Sequence, residues 1–275
     1  MVILIQCRDQ VGLVAAISTV LEKQAINIIS MREFVDTVDN RFFVRIVVEP
    51  GGDFILLNKQ LKEVLSAEAD IKVNPQPEKK VILLVTKDYH CLSDILVRNH
   101  FKTLGASVQC VIGNHKTLED ICRRFGIPFH FVSHQNMEKH IFESMLLSVI
   151  AKYSVDYLVL ARFMQILSPS FVEKFALRII NIHHSFLPAF VGASPYKQAY
   201  ERGVKLIGAT AHYVTHQLDE GPIISQQIIP VTHSFTSADM VRAGKEIETA
   251  VLAKALQLVF EDRVLIYKNK TIVFE

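Results

Sequence analysis

Along the first 73 residues, apolar positions alternate between a two-residue and a helical period, and the switches outline a small βαββαβ unit. Val2 to Gln6 reads as a strand, and Arg8-Asp9-Gln10-Val11-Gly12 as the loop after it. Leu13, Ile17, Val20 and Leu21 share one face of a helix over 13–23. Ile26 to Phe34 and Phe42 to Glu49 predict two further strands about a turn at Asp36 to Asn40. Phe54 to Ala67 predicts a second helix and Ile71 to Val73 a last strand, which completes the ferredoxin-like split arrangement. Asn74-Pro75-Gln76-Pro77-Glu78-Lys79-Lys80 follows. Two prolines in a polar stretch disfavour both helix and ladder, so residues 74–80 are expected to link domain 1–73 to domain 81–275.

From Val81 onward short, nearly continuous apolar runs alternate with helical patterns. The runs are 81–85, 108–112, 129–132, 157–160 and 179–182, and the helices between them are 93–104, 117–125, 137–153 and 168–175. Apolar strands alternating with helices predict an α/β fold with a mostly parallel sheet covered on both faces. Leu206 to Val214 and Pro222 to Ile229 predict two more strands, Ser237 to Phe260 a long helix, and 264–267 with 271–274 a terminal hairpin about Asn269.

Half the 275 residues are hydrophobic, and 30 basic against 28 acidic side chains leave a net charge of +2. This excludes the basic footprint of a nucleic-acid binder and the charge asymmetry of a membrane-surface protein. No apolar stretch approaches the roughly 20 residues that cross a bilayer. The opening Val2-Ile3-Leu4-Ile5 lacks the basic start of a secretory leader. Cys7, Cys91, Cys110 and Cys122 are too dispersed for a disulfide framework or a cysteine zinc site. A reducing, cytoplasmic setting is expected.

The richest stretch chemically is Asn181-Ile182-His183-His184-Ser185-Phe186-Leu187-Pro188-Ala189-Phe190, with Asp219-Glu220-Gly221-Pro222 farther on. Strand alternation puts Asn181 and His183 on one face and points His184 away, toward a structural role. An amide can hold an oxyanion and an imidazole can move a proton, so this wall suits attack on a carbonyl. Ligands of open α/β sheets sit beyond the strands' carboxyl ends. Asn181 and His183 end one such strand, and Arg162 to Gln165 follow another; the loop from Leu187 to Pro195 is punctuated like a binding loop. His212, on the strand before Asp219, is a candidate supporting partner.

Other chemistries fit less well. His212 and His216 fall in an apparent strand, where four residues span about 13 Å, too far for two ligands of one ion at roughly 2 Å each. The loop Thr86 to Ser93 has no glycine and forms no phosphate cradle. His90 and Cys91 are adjacent in sequence and seldom face each other on a regular element, so packing is expected of Cys91.

Asn181-x-His183, Leu187-Pro188 and Asp219-x-Gly221, within Leu160 to Pro169, Asn181 to Phe190 and Ala199 to Tyr213, resemble the folate-dependent formyltransferase domain. The wording is close to the formyltetrahydrofolate deformylase family, and the resemblance covers Val81 to Glu275. Met1 to Val73, through Arg8 to Val14, resembles an ACT domain, with Val11 where its loop usually has proline. The resemblance implies a Rossmann-like open sheet of the formyltransferase type behind a regulatory ACT module. It implies hydrolysis of 10-formyltetrahydrofolate to tetrahydrofolate and formate without a cofactor or metal, serving folate pools for purine biosynthesis. Asn181, His183 and Asp219 would be catalytic. Arg162, Phe163, Met164, Gln165, Ile166, Leu167, Tyr213 and Val214 would hold the folate, with His212 behind the trio. Asp9, Gln10, Val11, Gly12 and Leu13 would form an effector loop for an amino acid, in a homo-oligomer. Related transferases need a phosphate-holding loop after the first strand, or an added C-terminal domain for tRNA; Tyr89 to Leu92 and the short terminal hairpin stand in those places. Formyl transfer to an amine, or a folate or amino-acid sensor without catalysis, are the alternatives.

Overall fold

The computed structural model describes residues 1–74, 78–188 and 195–275. The chain forms two compact units, Met1–Pro77 with Glu261–Glu275, and Glu78–Phe260.

In the first unit, β1 (Val2–Arg8), α1 (Leu13–Lys23), β2 (Ile28–Asp36), β3 (Arg41–Val48), α2 (Phe54–Val64) and β4 (Asp70–Asn74) follow in the βαββαβ order read from the sequence. The strands form an antiparallel sheet in the order β2-β3-β1-β4. Ile3, Ile5 and Cys7 with Val44, Ile46 and Val48 face Leu13, Ile17 and Leu21 of α1 and Leu57 and Leu61 of α2. Asp53 starts α2 by accepting hydrogen bonds from the amides of Ile55 and Leu56, satisfying two donors the first turn leaves open. In the segment expected to hold an effector, Val11 is fully exposed and Gly12 takes the left-handed φ of 92° that starts α1. The Leu13 side chain is turned into the core.

The second unit contains β5 (Lys79–Val85), α3 (His90–His100), β6 (Ala106–Gly113), α4 (Glu119–Arg124), β7 (Phe129–Phe131), α5 (Lys139–Ile150) and β8 (Tyr157–Leu160). It continues through α6 (Pro169–Lys174), β9 (Ile179–His183), α7 (Pro195–Glu201), β10 (Leu206–Tyr213), β11 (Ile223–Pro230) and α8 (Ser237–Phe260). Seven strands lie in the order β11-β10-β9-β8-β5-β6-β7; β9 through β7 run parallel, and β10 and β11 are antiparallel. From β5 the chain builds outward to β6 and β7, then returns to β8 on the other side. The strand order therefore reverses between β5 and β8, where open α/β sheets leave a crevice beyond their carboxyl ends.

Two expectations are corrected in the structure. Lys79 and Lys80 pair in β5 with Ala106 and Ser107, so they belong to the sheet and not to a linker; of the expected linker, residues 75–77 lie outside the described residues. The terminal hairpin, β12 (Val264–Tyr267) and β13 (Lys270–Val273), groups with the first unit and not with the domain before it. Leu265 and Phe274 pack on Val2, Leu4 and Phe43, the sheet face opposite the helices, and Arg45 donates to the carbonyls of Glu261 and Asp262. Val2, Leu4 and Phe43 make the second face apolar and in need of cover, and no local pattern shows which sheet a distant hairpin will cover. Finally, α7 follows a stretch read as loop, whose residues 189–194 lie outside the described residues.

Tyr196 of α7 lies flat against Gly244 of α8. A Cβ there would sit 2.2 Å from the ring's Cζ. Gly244→Ala is expected to force the ring away and destabilise the fold by about 1–3 kcal/mol, lowering Tm by roughly 2–10 °C in a thermal melt. An unchanged Tm would show that the ring yields at no cost.

Candidate active site

The crevice beyond β8 and β9 is a cleft of about 340 Å³. Its walls come from the loop after β8 (Arg162 to Leu167), the end of β9 (Asn181 to His184), His212 of β10, and the loop from Val214 to Asp219. Phe163 and Leu167 are buried in the apolar core beneath, whereas Met164 and Ile166 are exposed at the rim. Met164 is held there by its amide, which donates to Thr86 Oγ1 at 2.9 Å.

The antiparallel register of β9 and β10 sets His212 opposite Asn181 and Thr210 opposite His183. His212 Nδ1 lies 2.9 Å from the carbonyl of Tyr213, which can only accept, so this nitrogen carries the proton. In neutral His212 the other nitrogen, Nε2, has a lone pair. Asn181 Nδ2 lies 3.2 Å from it and donates, which sets the way the Asn181 amide faces. Asp219 comes between the two histidines, with Oδ2 3.3 Å from His183 Nδ1 and Oδ1 3.6 Å from His212 Nε2. Burial raises the carboxyl's pKa, but the bond and charge of His183, joined by those of His212 when its ring is protonated, outweigh it, and Asp219 stays ionised well below the usual carboxylate range. His183 is buried, and its Nε2 has no partner among the described residues. The imidazole thus offers the cleft one nitrogen, while a carboxylate holds the other.

Two features of the backbone make this possible. Asp219 adopts a left-handed φ of 57°, a conformation that costs energy for a residue with a Cβ and that Asp tolerates better than most. Gly221 lies directly on Tyr213, and a Cβ there would fall 1.7 Å from that residue's carbonyl oxygen. The amide of Tyr213 donates to Pro222 at 2.9 Å and closes the loop at its base. Asp219-x-Gly221 is therefore one device: glycine lets the loop press on the strand, and the aspartate is delivered beside His183.

Several expectations change at this point. Tyr213 does not border the cleft: it follows His212 in β10, its side chain is buried, and its neighbour Val214 lines the wall instead. His216 is not in a strand, because β10 ends at Tyr213, and it too lines the cleft. His184 does not turn away. The strand ends at His183, alternation stops there, and the His184 ring lines the cleft with its centroid 5.2 Å from that of His183. Burial, followed by the positive charge of Arg162, lowers the His184 pKa to about 4.

The residues missed from the sequence lie behind that wall. Glu248 of α8, only 1% exposed, accepts from Tyr196 Oη at 2.8 Å and from His90 Nε2 at 2.9 Å, with Arg162 Nε 3.4 Å away. Burial opposes its charge, yet these donors lower its pKa and keep it ionised. Arg162, itself at a left-handed φ of 63°, also donates to Asp88 through Nε and Nη2. One signal was available: Glu248 lies on the buried stripe of α8, in helical register with Gly244, Val251 and Leu252. His90, Cys91 and Glu248 also bring ligand-type atoms within 4.8 Å of one another. The carboxylate is already held, and burial together with Glu248 raises the Cys91 pKa, so the sulfur is a packed thiol and not a metal-ligating thiolate.

The low His184 pKa has a measurable consequence. Its imidazole protons are expected to show no NMR titration between pH 5.5 and 8 and to move only near pH 4. In the unfolded chain the group would gain its proton below about pH 6.5. Its contribution to stability is therefore present at neutral pH and is lost as pH falls from that value toward about 4. A midpoint near 6.5 in the folded protein would contradict the burial described.

The family described as formyl transferase matches residues 79–256, and the ACT domain matches residues 1–65. The formyltetrahydrofolate deformylase of Haemophilus influenzae is 45% identical over 272 residues, covering 99% of this chain and 98% of that protein. The enzyme of that name from Escherichia coli strain K12 is 46% identical over 267 residues, covering 97% and 95%. A crystal structure of a formyltetrahydrofolate deformylase from Pseudomonas syringae pv. tomato has a TM-score of 0.94 at 39% identity, covering 100% of this chain and 94% of that one. An ACT domain, a formyl transferase domain and full-length identity at this level together establish that the chain belongs to the formyltetrahydrofolate deformylase family.

Proposed function

We propose that this protein hydrolyses 10-formyltetrahydrofolate to tetrahydrofolate and formate, with Asn181, His183 and Asp219 as the reacting groups. The observation that carries the assignment of roles is the buried Nε2 of His183, without a partner among the described residues, whose Nδ1 faces an ionised carboxylate across 3.3 Å. A carboxylate on one ring nitrogen orients the imidazole and stabilises its charged form, so that the other nitrogen can give or take a proton.

Water oxygen attacks the formyl carbon, and the carbonyl π pair moves onto oxygen. The Asn181 amide N–H and protonated His183 Nε2 are the donors for that oxyanion. Donors aimed at such charge are worth roughly 3–4 kcal/mol each. The proton lost by water passes to the pair formed by Asp219 and His183. When the tetrahedral adduct collapses, the bond from carbon to N10 breaks, its electron pair stays on nitrogen, and nitrogen takes up that proton. The apolar wall formed by Phe163, Leu167 and Val214 suits a flat pterin ring. The product pair would balance one-carbon folate pools that feed purine synthesis, and the ACT domain would receive an amino-acid effector in a homo-oligomer. Among the described residues no helix is long and apolar enough to cross a membrane.

Pure protein given 10-formyltetrahydrofolate and no amine should release formate. Release that depends on an added amine would make the chain a transferase, and no turnover by either route would leave the sensor reading. Asp219→Asn is expected to bind folate normally while kcat falls roughly 10²-fold or more, measured by steady-state kinetics beside a folate-binding titration. Unchanged kcat would remove Asp219 from the mechanism.

A further inference from the structure

We propose that His184 is a catalytic residue of this hydrolysis, accepting a hydrogen bond from the attacking water and holding its oxygen toward the formyl carbon. The proposal rests on the hydrolase reading above.

Three observations carry it. First, the rings of His183 and His184 both line the cleft, with centroids 5.2 Å apart and planes inclined at 55°, so a small molecule at His183 Nε2 has a second imidazole at its side. Second, Asn181, His183 and Arg162 each have a partner inside the protein, which leaves one Asn181 N–H and His183 Nε2 for the oxyanion. Asn181 donates to His212, His183 Nδ1 is on Asp219, and Arg162 is on Asp88 and Glu248, whereas His184 has no hydrogen bond to any described residue. Third, its posture is fixed from behind. Tyr196 meets the His184 ring edge-on at 6.1 Å and 70°, and the Tyr196 hydroxyl is tied to Glu248, which His90 and Arg162 hold in turn. The buried network otherwise has no part in the reaction; here it backs the second imidazole through the Tyr196 ring.

The ring is suited to the task. Neutral at working pH because its pKa is lowered to about 4, it has one lone pair to offer and does not compete for the proton being transferred. Water has two O–H bonds. One is broken as its proton passes to the Asp219 and His183 pair, and the other is donated to His184, which leaves a lone pair of the water oxygen to form the bond to the formyl carbon. No bond to His184 forms or breaks.

The test compares His184→Phe, which keeps a ring without an acceptor, with His184→Gln, which keeps an acceptor without the ring. With 10-formyltetrahydrofolate, His184→Phe is expected to lower kcat for formate release about 10²-fold with little change in KM, and His184→Gln to recover part of that loss. With hydroxylamine as a competing nucleophile that brings its own lone pair, the ratio of formohydroxamate to formate should rise in His184→Phe. Wild-type kcat in His184→Phe, or equal losses in both variants with an unaltered product ratio, would overturn the proposal. Should the phenylalanine variant fail to fold, His184→Ala with added imidazole decides: recovered formate release supports the role, and a folded variant without recovery overturns it. Wild-type protein that releases no formate would overturn the hydrolase reading and this role with it, whereas failure of His184 alone leaves that reading standing.

Discussion

The contact between Gly221 and the carbonyl of Tyr213 is the constraint on which the site depends. Any side chain at that glycine would overlap the carbonyl oxygen, so only a bare α-carbon lets the loop close on β10. With the loop closed, Asp219 reaches His183 and His212 together, and the same Tyr213 carbonyl accepts from His212 Nδ1. The tautomer of His212, the facing of the Asn181 amide and the orientation of His183 then follow from one close approach of backbone to backbone.

Two ionised carboxylates in one largely apolar unit need compensation, because burying an unpaired charge is expensive. Asp219 is compensated by two histidines and Glu248 by a histidine, a tyrosine hydroxyl and Arg162. The two clusters differ in what they leave over. Around Asp219 a ring nitrogen, His183 Nε2, remains without a partner among the described residues, in a side chain that lines the cleft. Around Glu248 the carboxylate oxygens are all engaged, so this cluster is built to hold its neighbours still. His184 lies between them, in ring contact with His183 on one side and Tyr196 on the other. Left-handed backbone at both Arg162 and Asp219 shows the two cleft loops bent to deliver those groups, as is common where chemistry sets the conformation.

The first unit shows a different economy of surface. Its four-stranded sheet has two apolar faces, one covered by α1 and α2 and the other by the hairpin β12 and β13. The main-chain carbonyls of Glu261 and Asp262, just before β12, are fastened by Arg45 of β3. A segment from the far end of the chain thus completes a core begun by the first residues.

Period and punctuation in the sequence were enough to read the βαββαβ unit, the alternating strands and helices of the second unit, and the helix over Ser237–Phe260, because these elements depend on local alternation of apolar and polar positions. The polar cluster at Asn181, His183 and Asp219 was also legible, since Asn181 and His183 end an apolar strand and Asp219 stands before a glycine in the loop between two others. Tertiary structure decided the rest, and for physical reasons. Alternation could not place His184 once β9 ended one residue earlier, nor His216 once β10 ended at Tyr213. Glu248 became part of the site's support only when α8 packed on Tyr196, 52 residues away, through a glycine that leaves room for the ring. The hairpin's partner was a sheet more than 200 residues distant, as the bonds from Arg45 to Glu261 and Asp262 show. A sequence displays which side chains can do chemistry and which face of an element is apolar; which loops close on one another is settled by packing between segments that no local pattern connects.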